Sequence, residues 1–82
     1  MRVAIHSLQS TLFSGSAEKL IVRTPLGEIT VLDHHVPLIS SILGPQIEIV
    51  DSTGKKVHIK ITSGVLEVRP NSEVVLLASL VR

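Results

Sequence analysis

The sequence predicts an all-β fold, a flattened β-sandwich or barrel of about eight to ten short, mostly antiparallel strands. Three observations carry that expectation. Apolar residues recur with period two from end to end, the apolar content is Val, Ile and Leu with almost no aromatics, and turn-forming residues interrupt the pattern at short intervals. Apolar residues make up 44% of the chain, yet Phe13 is the lone aromatic. The β-branched Val and Ile suit pleated, half-buried surfaces because their stiff side chains pack well there. Eighty-two residues allow one domain, spanning 1–82, with a thin core.

Each strand shows in order. Val3 and Ile5 alternate with Arg2, Ala4 and His6, and Leu20 and Val22 are flanked by Lys19 and Arg23. Ile29 and Val31 follow Glu28, and Ile47 and Ile49 bracket Glu48. Val57, Ile59 and Ile61 face one way against His58, Lys60 and Thr62, a spacing that fails the i, i+3, i+4 test for a helix. Phe13–Ser16, Pro25–Gly27, Asp51–Gly54 and Pro70–Ser72 read as turns. Asp51 to Lys56 joins Ile47–Val50 to Val57–Thr62 as a hairpin, and Pro70-Asn71-Ser72 joins Leu66–Arg69 to Val74–Ala78. Between Ile61 and Leu66 the inward phase slips from odd to even positions, so Ser63-Gly64 marks a bulge.

Two stretches break the rhythm. Asp33 to Pro45 carries two prolines and a Gly and reads as a long connection, pinned to the core by Leu38, Ile39, Ile42 and Leu43. Val74 to Ala78 is apolar on both strand faces, so its second face is covered either within the domain or by a partner.

The chemistry-bearing residues form no active site. His34-His35 beside Asp33 lacks the third and fourth ligands of a metal centre, and adjacent strand residues point to opposite faces. His6 and His58 fall on outward phases as solvated side chains. No serine sits in a Gly-x-Ser-x-Gly elbow, and the carboxylates are scattered. Gly54-Lys55-Lys56 lacks the upstream Gly and following hydroxyl of a phosphate loop. Catalytic, metal-binding and cofactor-binding residues are therefore expected to be absent. There is no cysteine, which fits a reducing compartment. A net charge of +1 and a single aromatic predict no nucleic-acid binding. No apolar run approaches the roughly 18 residues that span a bilayer, so direct membrane insertion is not expected.

An ordered set of motifs goes further. Thr11-Leu12-Phe13-Ser14-Gly15 precedes an alternating strand. Gly27-Glu28-Ile29-Thr30-Val31-Leu32 then runs into His35-Val36-Pro37-Leu38. Later come Ser63-Gly64-Val65-Leu66-Glu67-Val68, Pro70-Asn71 and Val74 to Ala78. Together they resemble the N-terminal domain of F-type ATP synthase epsilon subunits, across essentially the whole chain. Thr30 stands where that family usually has Gly, and Asp33-His34 replaces a common Pro-Gly.

The resemblance implies a non-catalytic central-stalk (rotor) subunit of the proton-transporting ATP synthase. It would dock on the gamma subunit and on the polar loops of the c-ring, coupling ion-driven rotation to ATP synthesis. It implies residence at the cytoplasmic face of a bacterial inner membrane, peripheral and held through the complex. The two-helix C-terminal hairpin of longer members is expected to be missing, and with it their inhibition of rotation and ATP binding. Glu28, His35, Pro37 and Leu38 correspond to parts the family presents to stalk and ring. Ile21, Val65 and Val75, apolar on outward phases, are candidates for the gamma-facing patch. The alternatives are a biotinyl- or lipoyl-type carrier domain, with Lys55 or Lys56 at a hairpin tip, and a small enzyme or sugar-binding sandwich. The carrier lacks the residues expected around its lysine, and the sugar binder lacks aromatic platforms.

Overall fold

The computed structural model describes residues 1–80. Seven strands form one mixed sheet: β1 (Arg2–His6), β2 (Thr11–Ser16), β3 (Lys19–Thr24), β4 (Gly27–Leu32), β5 (Leu38–Val50), β6 (Lys56–Arg69) and β7 (Glu73–Leu80). Their spatial order is β2-β1-β7-β6-β5-β3-β4. All neighbours are antiparallel except β1 and β7, which run parallel from Arg2↔Glu73 to His6↔Leu77.

The strand count falls below the expected eight to ten because β5 and β6 are long, at 13 and 14 residues. They stay paired in one register from Leu38↔Val68 to Val50↔Lys56. Their inward residues change phase midway: Ile42 and then Ile47 and Ile49 are buried on β5, and Ile61 and then Leu66 and Val68 on β6. The pair thus turns a corner and serves both layers. One layer holds β2, β1, β7 and the adjoining halves of β6 and β5. The other holds the remaining halves of β6 and β5 with β3 and β4.

The corner depends on two glycines. A Cβ on Gly44 would run into the Ile61 carbonyl oxygen, and one on Gly64 into the Leu77 carbonyl oxygen. Only a residue without Cβ lets backbones approach so closely. The expected slip at Ser63-Gly64 is a true irregularity, since the β6–β7 register shifts between Ile61 and Ser63. The β3–β5 register likewise jumps, from Ile21↔Glu48 to Arg23↔Leu43.

Two expectations are corrected. Asp33 to Pro45 is not one long connection: β5 begins at Leu38, so the loop is Asp33–Pro37. The long partner strand β6 supplies a continuous ladder that outweighs the local disfavour of a proline at the corner. Within that stretch Ile42 is fully buried and Leu38 half-buried, whereas Ile39 and Leu43 face solvent. The first turn is also displaced. Phe13 to Ser16 belongs to β2, and the chain reverses at Ser7–Ser10, where Ser7 N–H donates to the Ser10 carbonyl at 2.8 Å. The Ser7 hydroxyl closes this turn by accepting from the Gln9 and Ser10 amides, at 3.3 and 3.1 Å.

A single core unites both layers: Val3, Ile5, Leu20, Val22, Val31, Ile42, Ile47, Ile49, Ile61, Leu66, Val74 and Leu76 are all nearly or fully buried. Each such side chain contributes about 1.5–3 kcal/mol by leaving water. The hairpin turns fasten the strand ends. Thr24, buried, donates its hydroxyl to the Gly27 carbonyl at 2.8 Å and accepts from the Leu26 amide. The Asp51 carboxylate accepts from the Thr53 hydroxyl at 2.6 Å and from the Thr53 and Lys55 amides.

Candidate docking surfaces

The fold gives the molecule two outer faces. On the first, built on β1, β7 and the adjoining halves of β6 and β5, strand pairing sets side chains in rows. His6, Leu77, Val65 and Ser41 form one row, and Ala4, Val75, Glu67 and Ile39 the next. Leu43 lies opposite Ser63 nearer the corner. Ile39, Leu77, Val65 and Leu43 are 74, 58, 46 and 40% exposed, while the residues flanking Val65 and Leu77 along their strands include the fully buried Leu66 and Leu76. This is alternation with apolar residues on both faces, and one of those faces is open. The single carboxylate within the rows, Glu67, is bonded by Arg69 Nε at 3.1 Å.

The second outer face, built on β3, β4 and the other halves of β5 and β6, is charged. Its rows run Lys60–Gln46 and His58–Glu48–Ile21–Thr30, with Arg23 opposite Glu28 at the neighbouring pair. His58 Nε2 lies 2.7 Å from Glu48 Oε1. A cleft of about 280 Å³ opens where the β3–β5 register jumps, lined by Ile21, Arg23, Glu28, Pro45, Gln46 and Glu48.

The seven candidate residues therefore do not converge. Val65 and Val75 share the apolar face, Ile21 and Glu28 share the cleft on the opposite face, and His35 and Pro37 lie in the β4–β5 connection, with Leu38 the first residue of β5. Ile21 is half-buried and Glu28 exposed. Ile39, Leu43 and Leu77, missed as site candidates from the sequence, complete the apolar patch. The two-faced run Val74–Ala78 carried the signal for Leu77. Reading Ile39 and Leu43 as pins inside a connection hid theirs.

The β4–β5 connection is fixed by polar contacts. His35 N–H donates to the Leu32 carbonyl at 3.1 Å, and its Nδ1 lies 2.7 Å from the Val36 carbonyl oxygen. His34, in left-handed backbone at φ 61°, donates its N–H to Ser72 Oγ at 3.2 Å, and the same hydroxyl lies 3.3 Å from His34 Nδ1. The Ser72 hydroxyl, with the Met1 ammonium 3.7 Å away, holds the Asp33 carboxyl below its ordinary pKa. These contacts tie the connection to the β6–β7 turn. Among the described residues no group of three or more His, Asp or Glu side chains is placed to hold a metal ion. No helix of the described residues is long and apolar enough to cross a membrane.

Comparison with known proteins agrees with this geometry. The family model for the beta-sandwich domain of the ATP synthase delta/epsilon chain matches residues 1–82. Among solved structures, the fold is similar to a chain of the Euglena gracilis mitochondrial ATP synthase, in an assembly of OSCP, F1 and c-ring. The TM-score there is 0.85 at 20% identity, covering 93% of this chain and 48% of that one. It is also similar to a chain of the Tetrahymena thermophila mitochondrial ATP synthase central stalk and c-ring. That TM-score is 0.81 at 8% identity, covering 96% of this chain and 63% of that one. The chain thus spans less than two thirds of either relative. With the match running the full length of the sequence, the protein belongs to the family of ATP synthase delta/epsilon-chain beta-sandwich domains.

Proposed function

We propose that the chain is a non-catalytic central-stalk component of a proton-transporting ATP synthase, gripped by its neighbours and turning with them. The apolar outer face carries the reading. Ile39, Val65, Val75 and Leu77 form a contiguous patch on a stiff, continuously paired sheet, and removing such a patch from water is what stabilises a lasting interface. The gamma subunit covers this patch. The Asp33–Pro37 connection with Leu38, and the cleft holding Glu28 and Ile21, meet the remaining stalk and the polar loops of the c-ring. Torque then passes through a ladder with little internal give, while ATP chemistry takes place elsewhere in the complex.

Membrane association follows through the complex rather than by insertion. Placement at the cytoplasmic face of a bacterial inner membrane is part of this reading. The test is co-expression with the cognate gamma subunit followed by size-exclusion chromatography. The two proteins are expected to co-elute, with no ATPase activity from this chain alone. Separate elution of two folded proteins contradicts the reading.

A further inference from the structure

The sheet has two edges, β2 and β4, and they are built differently. The β2 edge is blunted. Its pairing with β1 slips between Ile5 and His6, and it carries Gly15, over which the Phe13 ring lies. Irregular edges of this kind resist further pairing. The β4 edge has no such device. It holds six successive pairs with β3, from Lys19↔Leu32 to Thr24↔Gly27, without a shift. Gly27–Leu32 contains no proline, no lysine and no inward-pointing charge, and Ile29, Thr30 and Val31 are β-branched.

The backbone of β4 is poised to accept a strand. The two-residue Pro25-Leu26 turn closes on Thr24 and Gly27. Along an antiparallel ladder alternate residues bond to the partner, so Gly27, Ile29 and Val31 bond to β3. Glu28 and Thr30 then direct both their amide and carbonyl groups away from the sheet, and Leu32 its amide, its carbonyl being held by the His35 N–H, about five hydrogen-bonding groups in all. The side chains prescribe an occupant. Val31 is buried and Ile29 only half-buried on the inner side, while Glu28 and Leu32 are exposed on the outer side.

We propose that an extended segment of a neighbouring central-stalk subunit adds to β4 as a further strand. Its inward positions are β-branched aliphatics that finish covering Ile29, and its outward positions place a Lys or Arg beside Glu28 and an aliphatic residue beside Leu32. Main-chain bonds give such a union affinity, and alternate side chains give it register. The proposal rests on the reading of the chain as a stalk component, and adds how one neighbour is held.

Amide hydrogen exchange on the chain alone and in its purified complex with the cognate stalk subunits tests it. In the complex, exchange at Glu28, Thr30 and Leu32 is expected to slow by more than about tenfold. Thr30→Pro removes only an outward N–H and should weaken the complex about tenfold, with the chain still folded. Should that variant unfold, Thr30→Lys places a charge on the edge and gives the same reading. If the complex forms but these amides exchange as in the free chain, the strand addition is wrong and the stalk role stands. If no complex forms, both fall. If the chain alone dimerises and protects the same amides, the occupant is a second copy and the stalk-strand assignment is overturned.

Discussion

The two outer faces of this sandwich are made by the same two long strands, yet they differ in kind. On one side of the corner β5 and β6 expose Ile39, Leu43 and Val65; on the other they expose Gln46, His58 and Lys60, with Glu48 half-buried among them. Both halves keep the same pairing register and bury the same kind of residue inward. What changes is the solvent-facing set, and folding does not dictate that set. A charged outer face keeps a monomer soluble, whereas an apolar one disfavours solubility unless something covers it. On the proposed reading, the difference separates residues that hold the fold from residues that meet a partner.

Neighbouring residues on β6 give the strongest way to break that distinction. Leu66 is fully buried, so Leu66→Ala is expected to cost about 2–5 kcal/mol in urea unfolding. The corner comes next. Gly64→Val forces a side chain against the Leu77 carbonyl and should cost about 1–3 kcal/mol, because the strand that creates both faces must shift.

Leu77→Asp on the apolar face should leave unfolding within about 0.5 kcal/mol, yet weaken binding to the gamma subunit about thirtyfold or more. Lys60→Ala on the charged face should alter neither. Calorimetric titration and thermal unfolding of both variants check the pair.

Smaller effects sharpen the charged side. Glu48→Ala removes the partner of His58 and is expected to cost about 0.2–1 kcal/mol, the range for cross-strand and exposed polar pairs. Acid titration should give the mildest response. The Thr53 hydroxyl and nearby amides hold the Asp51 carboxyl below its ordinary pKa, and Ser72 acts likewise on Asp33. A carboxylate with lowered pKa stabilises the fold above its ordinary value and loses that contribution as pH falls through the lowered one. Stability should therefore be flat near neutrality and decline below about pH 4, with less decline in Asp51→Asn.

Much of the fold is legible in the sequence because period-two burial is a local property. The β6 alternation, its slip at Ser63-Gly64, and the hairpins at Asp51 and Pro70 are all written in consecutive residues. The first half of β5 is not. Its prolines and glycine resemble a connection, and only the distant ladder to Ser63–Val68 makes it a strand. Likewise Phe13-Ser14-Gly15 reads as a turn until β1 pairs with it. The docking patch is harder still. Alternation says that Val65, Val75 and Ile21 point outward, but the corner decides that the first two share a face and the third lies on the other. The cluster of Asp33, His34 and Ser72 joins residues far apart in the chain through a hydroxyl contact that no local pattern announces.

Hydroxyl-radical footprinting of the chain, free and assembled with its gamma subunit, tests the central claim most directly. Val65, Val75 and Leu77 should lose reactivity on assembly while His58 and Lys60 keep theirs. Protection of His58 and Lys60, with the aliphatic residues still reactive, would mean that the charged side is the one held.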